Sequence, residues 1–391
     1  MKVQQRIDWM DGLKGIACIL IFLHHFCLMF YPAIHYGGAV PSKLEGIDTA
    51  LSQSPLSVVL NGNFLVALFC TVSGAVISLQ VMTMEDKSKL ADTLIKRYFR
   101  LMLPLAPIGI LVYGLLRFGL FANLQVAEFT NSPWATFYYR EPVTFAKALR
   151  AIFVDIWLIG DDTLSTAFWM LSRLFYGTFL SVGLSGICWK YSRRTWLFYL
   201  ALALVLYGRS DLLLAFTLGT MLAWMYVYVP KWFHWIPGVL LLAAGVFLGG
   251  YPSGVKPDNV YRYLGDVYFI DVHIVAACLT LYGLWSLKCL QKLLSVKPFR
   301  WLGKISYCVY LLHIPLLFAV SPRLFMALKD RVGYDRSVLI TGGASLVLLV
   351  LTAWLYRLTV EKLCVKLQTV LLGWFVRPDI RKEQREKERL L

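Results

Sequence analysis

Apolar runs long enough to cross a hydrocarbon core recur along almost the whole chain, and they leave little choice of fold. At 1.5 Å per residue, a helix needs about 20 apolar residues to span about 30 Å of lipid. Such runs fall at about 13–31, 57–81, 97–119, 164–189, 195–207, 210–229, 232–250, 263–285, 303–320 and 338–358. A further amphipathic stretch near 145–160 reads as interfacial or re-entrant. Backbone amides in lipid must be satisfied internally, which favours helices. The expectation is an all-α, polytopic membrane protein of about ten transmembrane helices. Composition agrees: 58% of the 391 residues are hydrophobic and only 16% charged, against about 25% charged in a soluble domain. The same numbers exclude disorder.

Thirty-nine Lys and Arg against 23 Asp and Glu give a net charge of +16. In a soluble chain that excess would suggest nucleic acid. No face here interleaves basic and aromatic residues, so no nucleic-acid partner is expected. Basic residues instead mark cytoplasmic loops and contacts with membrane lipid. They gather in 82–100 (Lys87, Lys89, Lys96, Arg97, Arg100), 190–194 (Lys190, Arg193, Arg194) and 286–304 (Lys288, Lys292, Lys297, Arg300, Lys304). Segments 32–56 and 120–163 are acidic or mixed. With ten spans this pattern puts both termini in the cytoplasm, and the chain is expected in the plasma (inner) membrane. The loop 321–336, with Arg323, Lys329, Arg331 and Arg336, fits poorly. Residues 1–362 read as one transmembrane domain and 363–391 as a basic, mixed-charge cytoplasmic tail, solvated and helical from Arg377. Eight cysteines without a CxxC spacing read as small buried hydrophobes. The first apolar run lacks an A-x-A site, so no cleavable signal is expected.

That first run, RIDWMDGLKGIACILIFLHHF, carries Lys14, His24 and His25. Lys14 and His25 are eleven residues apart, about three turns, so they share a helix face about 16 Å apart along the axis. His25 then lies near mid-membrane, while His24 is turned about 100° toward a different neighbour. An ionisable group at such depth is costly and marks a functional site, although a histidine can also bond helices together. Arg97 and Arg100 share one face at a span mouth, where they suit phosphates or lipid headgroups. His313 follows Ser306 by about two turns, with Pro315 next to kink the helix. His35, His234 and His273 match no pattern and read as interfacial or structural. Six scattered histidines without HExxH spacing give no metal site.

Five elements in order resemble the acyltransferase-3 family of integral membrane acyltransferases. They are Lys14 and His25, in that family's pattern of a basic residue, ten residues and a histidine; GNFLVALFCTVSG, ending at Ser73-Gly74; KRYFRLMLP, with Arg97 and Arg100; LGKISYCVYLLHIP, with Ser306, Tyr307, Tyr310 and His313; and the final Val360-Glu361-Lys362. Together they cover residues 6 to about 362. One departure stands out. The family's middle helix has a tryptophan followed by a glutamate; here Trp169 is present, but Leu174 takes the acidic position, next to Arg173.

The resemblance implies an enzyme that moves an acyl group, acetyl foremost, from cytoplasmic acyl-CoA to a hydroxyl of a surface, secreted or lipid-linked glycan. It implies catalytic roles for His25, as general base or transient acyl carrier, and Lys14. Arg97 and Arg100 would hold the coenzyme, with no metal. Ser73, Trp169, Ser306, Tyr307, Tyr310 and His313 would support the acceptor or the site. Any extracytoplasmic hydrolase-like step would need a separate partner enzyme. The rival class is a proton-coupled transporter or polysaccharide exporter, which would also use a buried histidine. The inverted repeats common to transporters are not seen in this sequence.

Overall fold

The structure, a computed structural model, describes residues 7–84, 90–190, 194–209, 211–254, 260–265 and 267–375. Lys87, Lys89, Arg193 and the tail from Arg377, which entered the orientation and domain readings, lie outside the described residues. Among the described residues every regular element is a helix. The principal ones are α1 (Asp8–Phe30), α2 (Gly62–Met82), α3 (Leu90–Arg117), α4 (Trp169–Lys190), α5 (Thr195–Leu206), α6 (Leu213–Tyr228), α7 (Trp235–Gly249), α8 (Phe269–Ser286), α9 (Lys297–Ala319) and α10 (Tyr334–Tyr356).

Among the described residues, six helical runs are long and apolar enough to cross a membrane: α1, α2, α3 from Thr93, α8, α9, and α10 with its continuation to Trp374. The chain is a multi-pass membrane protein. Six is nevertheless fewer than the ten spans expected. Helices α5, α6 and α7 are apolar but have 12, 16 and 15 residues, about 18–24 Å, too short to cross about 30 Å unaided. Helix α4 has 22 residues, but Ser172, Arg173, Thr178, Ser181 and Ser185 interrupt its apolar surface. At the end of α10 a π-helical turn, Arg357–Glu361, leads directly into a helix over Lys362–Phe375. The boundary read at 362 therefore falls inside a continuous helical run.

Glycine sets the closest packing. Helices α1 and α9 run parallel, and a Cβ at Gly303 would collide with the backbone of Asp11, while one at Gly15 would collide with Leu302 and Gly303. Arg300 donates to Asp8 at 2.6 Å across the same seam. Gly219 of α6 meets the Thr71 carbonyl of α2 in the same manner, and Gly177 of α4 lies under the Phe216 ring. Backbones approach closely here because lipid gives no hydrophobic drive between helices, so contact has to be dense. Gly303→Val is expected to force α1 from α9 and cost about 1–3 kcal/mol. Thermal unfolding in detergent reads this, with Gly343→Ala as control, since a Cβ there meets nothing. Equal melting temperatures for the two variants would contradict the seam.

Two irregular segments matter to the site. The stretch near 145–160 is a broken helix: Phe145–Arg150, a π turn over Ala151–Asp155, then Ile156–Leu158. It is tied to α3 by Tyr98, whose hydroxyl donates to the Phe153 carbonyl at 2.8 Å. The poorly fitting loop 321–336 is mostly the helix Ser321–Val332. Two of its cations are engaged within the protein: Arg323 donates to the Leu120 carbonyl at 2.6 Å, and Lys329 pairs with Asp330 at 2.8 Å beside the Phe129 ring. Charges held this way are weak reporters of orientation.

Candidate active site

Helix α1 carries His24 and His25 on neighbouring faces, and the two point at different partners. Nδ1 of His25 lies 3.0 Å from the Ile21 carbonyl one turn back. A carbonyl can only accept, so Nδ1 carries the proton and Nε2 keeps its lone pair. The same logic holds for His24, with Nδ1 2.7 Å from the Leu60 carbonyl, and for His313 of α9, with Nδ1 2.6 Å from the Tyr310 carbonyl. Three imidazoles are thus fixed in one tautomer with Nε2 as the basic atom. Nε2 of His313 is buried without a hydrogen-bond partner.

The rings gather. His25 lies 5.1 Å from His313 and 5.1 Å from His24, centroid to centroid, and His24 lies 5.6 Å from His35. Trp134 covers His25 at 5.2 Å, tilted by 30°. A ring face at that distance favours a cation, so it would stabilise an imidazolium formed at His25. His24, His25, His35 and Trp134 border a cavity of about 200 Å³, together with Asn63, Tyr138, Trp169 and Tyr310. Pro32 begins the turn that brings His35 back over the end of α1. Burial pushes the His35 imidazole down to about 4, so it is neutral at pH 7. Trp134 arrives from the connection between α3 and α4. There Ser132 caps the short helix Pro133–Thr136 and donates to the Leu28 carbonyl at 2.5 Å. Asp162 lies close enough to Tyr138 to influence it, and burial, with Asp161 next to it, raises the Asp162 carboxyl above its ordinary range.

A second cavity, about 480 Å³, opens toward the other end of the bundle. Lys96, Arg97 and Arg100 of α3 line it, with Gln80, Glu361 and Gln368. Arg97 is half-buried and its Nε has no hydrogen-bond partner; Arg100 is exposed. Glu361 is 3.7 Å from Arg357 and accepts from the Cys308 thiol at 3.5 Å.

The residues singled out in sequence divide between these places. His25, Tyr310 and Trp169 border the histidine cavity, and the tilted His313 ring lies 5.1 Å from His25. Arg97 and Arg100 line the cation cavity. Tyr307 lies between the two, within electrostatic reach of Arg97, its hydroxyl donating to the Leu101 carbonyl at 2.6 Å. Tyr310 donates to the Ala167 carbonyl. Lys14, Ser73 and Ser306 line neither cavity. Cys18 lies within reach of both Lys14 and Ser306, whose hydroxyl donates to Gly303 at 2.9 Å. Leu174 is buried in the core, and Arg173 next to it pairs with Asp211 at 3.5 Å.

Sequence reading passed over His35, Trp134, Tyr138 and the bordering role of His24. His35 had one usable signal, a Pro-led turn just beyond the span that holds His25. Trp134 had none, being 109 residues away in sequence. No group of three or more His, Cys, Asp or Glu placed to hold a metal ion occurs among the described residues. A protein-family model described as an acyltransferase domain matches residues 7–359. No curated protein and no solved structure matches the chain.

Proposed function

We infer that this chain, which belongs to the acyltransferase family whose domain spans residues 7–359, moves an acetyl group from cytoplasmic acyl-CoA to a hydroxyl of a surface or secreted glycan. The observation that carries the reading is the fixed tautomer of His25. Its Nδ1 proton is committed to Ile21, so Nε2 is the basic atom of a residue that borders the cavity. As the acceptor oxygen attacks the thioester carbonyl, Nε2 takes the hydroxyl proton. The carbon–sulfur bond then breaks, and that proton passes to the departing thiolate. No external proton source is needed.

The donor side of the reading is supported by the chemistry of the second cavity. Arg97 and Arg100, three residues apart, can grip a diphosphate with forked hydrogen bonds, and Lys96 adds a third cation. On the acceptor side, Trp134, Trp169 and Tyr138 offer flat apolar faces, and Asn63 offers an amide, the combination a sugar ring needs. Purified protein in detergent should transfer labelled acetyl from acetyl-CoA to glycan, and a deletion strain should lack the glycan acyl group. Glycan of unchanged acyl content in that strain would overturn the reading.

A cytoplasmic donor requires Arg97 and Arg100 on the cytoplasmic side, which the positive-inside rule ties to the basic loop 286–304. Single cysteines introduced at 286–304 should stay closed to impermeant thiol reagents in intact cells, and cysteines at 32–56 should react. Labelling of 286–304 from outside would remove the coenzyme cavity from the cytoplasm.

A further inference from the structure

We propose that Tyr139 is a positioning residue of the acceptor site: it clamps two walls of the histidine cavity together and so fixes the aromatic faces against which the acceptor ring lies. The inference rests on the acceptor reading above. One wall belongs to the connection between α3 and α4 and carries Trp134 and Tyr138. The other leads into α4 and carries Thr166, Ala167 and Trp169. Tyr139 stands in the left-handed region of backbone space, at φ +63°. Glycine and asparagine enter that region readily, whereas a bulky aromatic residue is strained there and persists only where its surroundings impose the conformation. Three contacts impose it here. The Tyr139 ring stacks on Phe121, with centroids 4.1 Å apart and planes at 18°, and meets Phe318 edge to face at 5.5 Å. Its hydroxyl donates to the Leu164 carbonyl at 2.9 Å, which fastens one wall to the other.

The strained backbone has a geometric consequence. In extended chain, successive side chains point to opposite sides, so Tyr138 and Tyr139 would face away from each other. The left-handed turn at Tyr139 removes that alternation. Tyr139 reaches Leu164, and Tyr138 lies within reach of the Thr166 side chain two residues further on. From behind, the buried amide of Asn123 donates to the Ala135 and Tyr138 carbonyls at 2.8 and 3.1 Å. The Phe318 ring packs against Trp134, Tyr138 and Tyr139 alike, so a shift of Tyr139 is passed to both aromatic faces of its wall. Tyr139 does not itself border the cavity; it acts through Tyr138 and Trp134.

The test is steady-state kinetics of the full-length protein in detergent, with acetyl-CoA as donor and glycan purified from a deletion strain as acceptor, beside thermal unfolding. Tyr139→Phe keeps the ring stack and removes only the hydroxyl link. It should raise the acceptor KM about 3- to 10-fold, the value of one neutral hydrogen bond, and leave the acetyl-CoA KM unchanged. Tyr139→Gly takes the left-handed backbone without strain but loses both ring and hydroxyl. It should raise the acceptor KM about 10- to 100-fold, so relief of strain does not restore the site. A residue that serves folding alone would lower the melting temperature and leave both KM values as they were, and that result overturns the clamp. An unchanged acceptor KM in active Tyr139→Phe removes the clamp while the acceptor reading stands. Should wild-type protein transfer nothing to this glycan, the acceptor reading falls and the clamp with it. Tyr139→Phe keeps the outcome readable if Tyr139→Gly does not fold.

Discussion

His25→Ala is expected to lower acyl transfer by about 10²- to 10⁴-fold, the contribution of a positioned general base, while the protein still folds. Folding should persist because the side chain is half-buried beside a cavity, so truncation enlarges existing space more than it opens a new void. His24→Ala should be milder in catalysis. The His24 ring packs on Gly62 and holds the Leu60 carbonyl, so its loss loosens α1 against α2. The two variants should therefore separate by readout: His25→Ala in transfer rate at unchanged melting temperature, His24→Ala in melting temperature first. Equal losses of transfer with equal thermal stability would mean that the two rings act as one unit. His25 would then have no special claim as the base. His313→Gln offers an intermediate case, because an amide can replace the Nδ1 donor but not the basic Nε2 of the ring next to His25.

Much of this site could be seen before any coordinates. The eleven-residue spacing of Lys14 and His25 and the three-residue spacing of Arg97 and Arg100 are statements about helical phase, and helical phase is local. Those readings put His25 near mid-membrane and the two arginines at a span mouth, and in the structure each borders a cavity. The spacing said less about Lys14, which shares the face and lies within electrostatic reach of Cys18 but lines neither cavity. A helix face reveals direction and cannot reveal whether the neighbour leaves space. Trp134 shows the other limit, since its place over His25 depends on a connection anchored by Ser132 to Leu28, a contact 104 residues long. The count of ten spans is not confirmed, for a different reason. Mean hydropathy marks α5, α6 and α7 as apolar, and the turns at Tyr207, Val229 and Gly250 fall where the sequence runs end, but the helices before those turns have only 12, 16 and 15 residues. Arg323 and Lys329 likewise looked like topology signals until their protein partners were visible.

Arg97→Ala is expected to weaken acyl-CoA binding by about 1.5–3 kcal/mol, the value of a hydrogen bond to a charged group, or about 10- to 150-fold in Kd. Arg100 is exposed, where water competes for the phosphate, so Arg100→Ala should fall at the low end of that range. Arg97→Lys should recover only part of the loss, because an ammonium is a point charge without the guanidinium fork. Wild-type affinity should decline as salt rises, and the Arg97→Ala variant should decline less steeply. Glu361 gives the sign test. Its carboxylate lines the same cavity, so it opposes an incoming phosphate, and Glu361→Gln should tighten binding by about 0.2–1 kcal/mol, as for a partly exposed charge pair. Titration calorimetry in detergent measures all four. A phosphate site moves in opposite directions when a cation and an anion are removed from it, whereas two arginines that only anchor α3 at lipid headgroups would leave the coenzyme affinity of every variant unchanged.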